Sequence, residues 1–223
     1  MTILYVVATP IGNLKDISLR AIETLKEVDL ILCEDTRVTK KLLDHYEITT
    51  PTLSYHQHSK LKKVEQVLQL LKEGKNLALV SDAGTPGIAD PGNQLIGYLV
   101  SRLSSLTIVP IPGPSAVAAA ASIAGFPTNK FLFLGFPPVK RKRKKFFGEV
   151  VNSKHPVIFY ESPHRIIKTL KELSAFSCQL SVVVGRELTK KFETIYRGEI
   201  GKVIEKITPE EIKGEFVVIV GEK

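Results

Sequence analysis

Cysteine is scarce in this chain: among 223 residues only Cys33 and Cys178 occur, far apart and with no Cys-x-x-Cys pair. That excludes a disulfide framework and a cysteine-rich zinc site, and agrees with a reducing compartment. Long apolar runs are missing too, since stretches such as 116–121 fall well short of the ~20 residues a membrane-spanning helix needs. The first residues, Met1-Thr2-Ile3-Leu4-Tyr5, have no basic segment before the apolar one, so an unexported, cytoplasmic protein without membrane contact is expected. Neither Gly-x-Gly-x-x-Gly nor Gly-x-x-x-x-Gly-Lys-Ser/Thr occurs, which disfavours a dinucleotide-binding dehydrogenase and a P-loop NTPase. With 43% hydrophobic and 24% charged residues, the composition also excludes a disordered chain.

What is present is an alternation of apolar runs with helix-period segments, the pattern of an α/β protein. Residues 2–8 form a β-branched run, followed by the turn Thr9-Pro10-Ile11-Gly12-Asn13 and a helical pattern over 18–26. Further buried strands are expected at 30–33, 77–81 and 107–111, with a helix at 61–72 whose apolar residues are Leu61, Val64, Leu68 and Leu71. A small-residue helix at 115–124 then runs into Gly125-Phe126-Pro127, where a domain boundary is expected, giving domains 1–126 and 127–223. Strand patterns at 131–136, 157–161, 180–185, 194–198 and 216–220 crowd the second half. Such spacing implies an antiparallel or mixed sheet there, after a mainly parallel first one. Thr208-Pro209-Glu210-Glu211 reads as a capped helix start ending at Lys213-Gly214.

Several clusters stand where strands end. Ser81-Asp82-Ala83-Gly84-Thr85-Pro86-Gly87-Ile88-Ala89-Asp90-Pro91-Gly92 combines close backbone approach with fixed carboxylates, at the edge where α/β sheets bind ligands. Pro112-Gly113-Pro114-Ser115-Ala116 is a second such loop, with Ser115 as its helix cap. Cys33-Glu34-Asp35-Thr36-Arg37 can be a helix start or a catalytic segment. Tyr160-Glu161-Ser162-Pro163-His164-Arg165 and Gly185-Arg186-Glu187-Leu188-Thr189-Lys190 each pair a carboxylate with an arginine just beyond a strand. His56 and His58 would share a strand face, but without further ligands at suitable spacing no metal is expected.

Lysine and arginine outnumber aspartate and glutamate by 31 to 23, a formal charge of +8, and the unbroken run Lys140, Arg141, Lys142, Arg143, Lys144, Lys145 supplies six of it. A cationic tract that carries most of the excess points to a polyanion, with nucleic acid first, ahead of an anionic membrane surface. Pro137-Pro138 before the tract and Gly148 after it suggest a mobile arm or short helix that orders on RNA.

Taken in order, Ala8-Thr9-Pro10-Ile11-Gly12-Asn13-Leu14, Cys33-Glu34-Asp35-Thr36-Arg37, Ser81-Asp82-Ala83-Gly84-Thr85-Pro86-Gly87, Pro112-Gly113-Pro114-Ser115-Ala116 and Glu161-Ser162-Pro163-His164-Arg165 resemble the ribosomal RNA small-subunit methyltransferase I family, within the tetrapyrrole-methylase superfamily. The resemblance spans essentially the whole chain. It implies the two-domain tetrapyrrole-methylase-like fold of class III S-adenosylmethionine methyltransferases and a homodimer. The implied activity is methylation of the ribose 2′-hydroxyl of a cytidine in the decoding region of small-subunit (16S) ribosomal RNA, free or in the 30S subunit. It places Pro10, Asp82, Ile88, Ala89, Ser115 and Ala116 against S-adenosylmethionine, with Tyr160, Glu187, Leu188, Gly214 and Glu215 closing the site from the second domain. Glu34, Asp35 and Glu187 are then the candidate bases. Arg37, Arg165 and Arg186 join the tract as RNA-binding candidates. The alternatives are a porphyrinoid C-methyltransferase, a protein methyltransferase acting on a translation factor, and a non-catalytic RNA-binding assembly factor.

Overall fold

The computed structural model describes residues 2–55 and 61–221; His56 and His58 lie outside the described residues. The chain divides into two units, Met1–Ser115 and Ala116–Lys223. The division precedes the small-residue helix instead of following it at 126, because that helix packs on strands of the second unit.

In the first unit, strands β1 (Thr2–Val7), β2 (Leu30–Cys33), β3 (Thr52–Ser54), β4 (Leu77–Leu79) and β5 (Leu106–Ile111) form one sheet in the order β3-β2-β4-β1-β5. All pairings are parallel. Successive residues of each strand enter opposite cores. Ile31, Cys33, Ala78 and Val80 pack with Ala21 and Leu25 of α1 (Leu19–Glu27) and with Leu42 and Leu43 of α2 (Thr36–His45). Leu32, Leu77 and Leu79 pack with Leu68 and Leu71 of α3 (Leu61–Lys72) and with Leu95 and Leu99 of α4 (Gly92–Arg102). Helices on both faces explain why these strands read as continuous apolar runs. Both cysteines are free thiols, and burial pushes the Cys33 thiol pKa upward.

The second unit begins with α5 (Ala116–Ser122) and continues through β6 (Leu132–Phe133), α6 (Arg143–Asn152), β7 (Val157–Glu161), α7 (Ile166–Ser174), β8 (Ser181–Arg186), β9 (Thr194–Glu199), α8 (Ile200–Lys206) and β10 (Phe216–Val220). Its sheet order is β6-β7-β10-β8-β9, parallel only between β6 and β7. The last strand therefore lies centrally, and all five of its residues are buried. Phe147 and Val150 of α6, Leu170 and Leu173 of α7 and Val203 of α8 cover one face, while α5 packs on β7 and β10. The capping box at Thr208 is present, with Glu211 answering it, but it opens a single 3-10 turn, Pro209–Glu211.

Candidate functional site

Because the first sheet is wholly parallel, the loops after β1, β2, β4 and β5 emerge at one edge. They are bound to one another through backbone. Thr9 and Gly84 exchange N–H···O bonds of 2.9 and 3.0 Å, and the Thr9 hydroxyl donates to the Ser81 carbonyl at 3.2 Å. The Thr85 hydroxyl donates to the Pro114 carbonyl at 3.0 Å, tying the loop after β4 to the loop after β5. Gly84 sits at φ +82°, where its absent Cβ lets Ile11 approach. At Gly113 a Cβ would come within 3.1 Å of the Ala8 Cβ, so this loop lies flush on the first. Thr9 is a structural member of the edge that sequence reasoning passed over as an ordinary turn residue.

The four acids along this edge have separate duties. Asp90 accepts the Gly87 N–H with both oxygens, at 2.8 and 2.9 Å, and the Gly92 N–H at 2.8 Å, which closes the glycine-rich loop on itself. Asp82 accepts the Asp35 N–H at 3.0 Å and links that loop to the start of α2. Asp35 caps α2 through the Arg37 N–H at 2.8 Å and also grips the Arg37 side chain, with 2.6 Å between Oδ2 and Nη2. The side-chain bonds to Arg37, then the backbone bond, hold its carboxyl down at about 2. A carboxylate so acidic and so occupied is a weaker proton acceptor than an ordinary one. Glu34 is the opposite case. Burial first, then the charges of Asp82 and Asp90, raise its pKa above the ordinary carboxylate value.

In the second unit, Tyr160 lies within ring contact of Phe133 and Phe136, and burial, only partly offset by the Val117 backbone, pushes its phenol up to about 12. Leu188 is buried. Glu187, at φ +50°, accepts the Glu215 N–H at 2.9 Å and the Lys190 ammonium at 2.9 Å. Burial raises its pKa, but the Lys190 bond, the Glu215 amide and the charges of Lys190 and Arg186 outweigh it and leave the carboxyl below its ordinary value. Glu187 is therefore a fixed anion, a weaker base than Glu34. Gly214, at φ +85°, makes room for it: a Cβ there would overlap the Glu187 carboxyl.

The arginines divide in a way their spacing did not reveal. Arg37 is 88% exposed on its side chain, although paired with Asp35. Arg186 is buried and donates to the carbonyls of Lys213 and Phe192, both at 3.0 Å. Arg165 pairs with Glu161 at 2.8 Å and donates to the Pro137 carbonyl at 3.0 Å. In the basic tract, Lys140, Arg141, Lys142, Lys144 and Lys145 are exposed, whereas Arg143 is 7% exposed and bound to Glu172. Arg143, Arg165 and Arg186 thus commit N–H donors to internal carbonyls, carboxylates and hydroxyls. The tract is not simply an arm, since its last residues start α6, whose Phe146 and Phe147 are core. Among the described residues no cluster of histidine, cysteine, aspartate and glutamate could hold a metal ion.

Residues 3–204 match the family model for Tetrapyrrole (Corrin/Porphyrin) Methylases. The chain is 46% identical over 222 residues to a Synechocystis protein named Ribosomal RNA small subunit methyltransferase I, covering 99% of this chain and 79% of the relative. A Thermotoga maritima protein of the same name is 40% identical over 220 residues, covering 99% and 98%. Among solved structures, diphthine synthase superposes with a TM-score of 0.77 at 12% identity, covering 100% of this chain and 91% of the other. A cobalt precorrin-4 methyltransferase superposes with a TM-score of 0.69 at 20% identity, covering 98% and 94%. Likeness at such identities shows the shared fold.

Proposed function

Because this chain belongs to the ribosomal RNA small subunit methyltransferase I family, we propose that it methylates small-subunit ribosomal RNA with S-adenosylmethionine, at the ribose 2′-hydroxyl of a cytidine in the decoding region. The observation that carries the reading is the carboxyl edge of the first sheet. There, glycine-lined backbone and a half-buried carboxylate of raised pKa occur together. The fit to the cofactor is chemical. A ligand bearing a sulfonium and an ammonium suits an edge lined by Glu34, Asp82 and Asp90, while Gly84 and Gly113 let the surrounding loops pack close on Ile11 and Ala8 and so hold that edge in place. Pro10, Asp82, Ile88, Ala89, Ser115 and Ala116 would hold it. The assignment of Tyr160, Glu187, Leu188, Gly214 and Glu215 to the same ligand rests on the family resemblance.

S-adenosylmethionine supplies an electrophilic methyl. The chain's own part is to align the attacking hydroxyl and to accept its proton. Glu34 is the residue for the second task, since its raised pKa makes it a better base than an ordinary carboxylate, while Asp35 is locked by Arg37 and Glu187 by Lys190. The exposed cations Lys140, Arg141, Lys142, Lys144 and Lys145 would meet RNA phosphates. Their position argues for a binding duty. Lys144 and Lys145 stand in the first turn of a helix that has no acidic residue there and no side-chain cap, where the helix dipole disfavours cations. The reading also carries a homodimer acting on the 30S subunit in the cytoplasm. No helix among the described residues is long and apolar enough to cross a membrane.

The test is transfer of isotope-labelled methyl from S-adenosylmethionine to 30S subunits lacking the modification, followed by digestion to nucleosides. Label is expected on the ribose of cytidine. Label on a base, or none, would refute the reading. Glu34→Gln is expected to lower kcat by about 10²–10⁴-fold while leaving S-adenosylmethionine affinity within a few-fold. A kcat close to wild type would exclude Glu34 as the base.

A further inference from the structure

We propose that Arg143 is a positioning residue that holds the cationic segment around it in its RNA-binding shape, without itself touching phosphate. The proposal rests on the reading of the tract as an RNA contact. Arg143 alone of the six consecutive cations is buried, and every side of its guanidinium is used. Nε donates to Glu172 at 2.7 Å, Nη2 to the Thr169 hydroxyl at 2.8 Å, and Nη1 to the Pro138 carbonyl at 2.8 Å; its charge also lies over the Phe147 ring.

Thr169 continues the connection. Its hydroxyl donates at 2.6 Å to Glu161, whose side chain is 0% exposed and which also takes the Ser162 N–H at 2.7 Å and the Arg165 guanidinium at 2.8 Å. Arg165 then donates to the Pro137 carbonyl at 3.0 Å. Two arginines, one from the tract and one from the start of α7, thus grip the carbonyls of consecutive prolines, and both are fastened through Thr169 and Glu161 to the core of the second unit. The segment that leaves this grip reaches α6 through Lys142 at φ +69°, a conformation that a lysine keeps only when its surroundings impose it. The start of α6 supplies no side-chain cap of its own, so the order of the exposed cations depends on the grip. Only a planar fork donates in three set directions, and a lysine ammonium at 143 would keep the charge but lose the geometry.

The experiment measures affinity for unmethylated small-subunit ribosomal RNA transcribed in vitro as a function of salt, and S-adenosylmethionine affinity by calorimetry. Arg143→Lys and Arg143→Gln are both expected to bind RNA on the order of tenfold more weakly, with the wild-type slope of log affinity against log salt and unchanged cofactor affinity. A slope shallower by about 0.7–0.9 in Arg143→Gln would make Arg143 a phosphate ligand and overturn the proposal. So would wild-type RNA affinity in Arg143→Lys. Should the Arg143 variants fail to fold, Glu172→Gln carries the test, since its side chain is 33% exposed. Loss of a nearby negative charge would by itself strengthen RNA binding, whereas a loosened grip weakens it; strengthened binding overturns the proposal. Glutamine at the other five tract positions reports on the premise separately. A flattened salt slope there supports the RNA reading whatever Arg143 does, and an unchanged slope removes that reading and the proposal with it.

Discussion

Replacing Gly214 by alanine separates two costs that a sequence comparison would merge. Gly214 sits at φ +85°, and the space a Cβ would take is filled by the Glu187 carboxyl. The left-handed backbone alone costs an alanine about 1 kcal/mol. The side chain at Glu187 can swing away, but only by giving up its 2.9 Å bonds to the Glu215 N–H and the Lys190 ammonium. Those bonds involve charged groups, and the Glu187 side chain is only 16% exposed, so their loss adds about 2 kcal/mol. Gly214→Ala should therefore cost about 3 kcal/mol in urea denaturation, and Glu187→Ala about 2 kcal/mol. Gly74, at φ +87° with open space where its Cβ would stand, is the control, expected to lose about 1 kcal/mol on the same substitution. Since Gly214→Ala already spends the Glu187 bonds, the double variant should cost about 3 kcal/mol, not the additive 5, a coupling of about 2 kcal/mol. Equal losses at Gly74 and Gly214, or strict additivity with Glu187→Ala, would refute the account.

Arg165→Met strands a fully buried Glu161 carboxylate with only Ser162 and Thr169 as partners, and should destabilise the protein by about 3–5 kcal/mol in the same denaturation assay; a loss below 1 kcal/mol would count against it. Asp35 should titrate in NMR with a midpoint at about 2, so its cap on α2 persists on acidification through the ordinary carboxylate range and fades only as the pH approaches that value; a midpoint near the ordinary 3.8 would show the Arg37 pair to be open in solution. Glu34 runs the other way. A carboxyl whose pKa is raised on folding binds its proton more tightly in the folded state, so stability declines as the pH rises from its ordinary 4.5 through the raised value, and Glu34→Gln should flatten that decline in pH-dependent thermal melts.

Strand runs, the loops at the carboxyl edge and the mixed second sheet were legible because each depends on local periodicity and turn chemistry, which the chain states within a few residues. The helix at 166–174 was legible in principle, through Ile166, Leu170 and Leu173 at helical spacing, yet was hidden beside the more conspicuous motif preceding it. What residue type could not disclose was occupancy. Glu34 and Asp35 are adjacent acids at the end of one strand. They diverge because Arg37, two positions on, closes on Asp35, while burial first, and then the charges of Asp82 and Asp90 from a loop distant in the chain, bear on Glu34.

The same holds for the cations. In the run from Lys140 to Lys145 nothing distinguishes Arg143 until Thr169 and Glu172, on the far side of β7, are brought against it. On the proposed reading, a count of positive residues overstates the surface offered to RNA, and the correction has a direction: buried Arg143 would shape the surface, and the exposed lysines and Arg141 would supply its charge. The expected salt dependence follows from the second group alone. If all five exposed cations meet phosphate, glutamine at those positions should flatten the slope by roughly 3.5–4.5, and no further flattening should follow when Arg143 is also replaced.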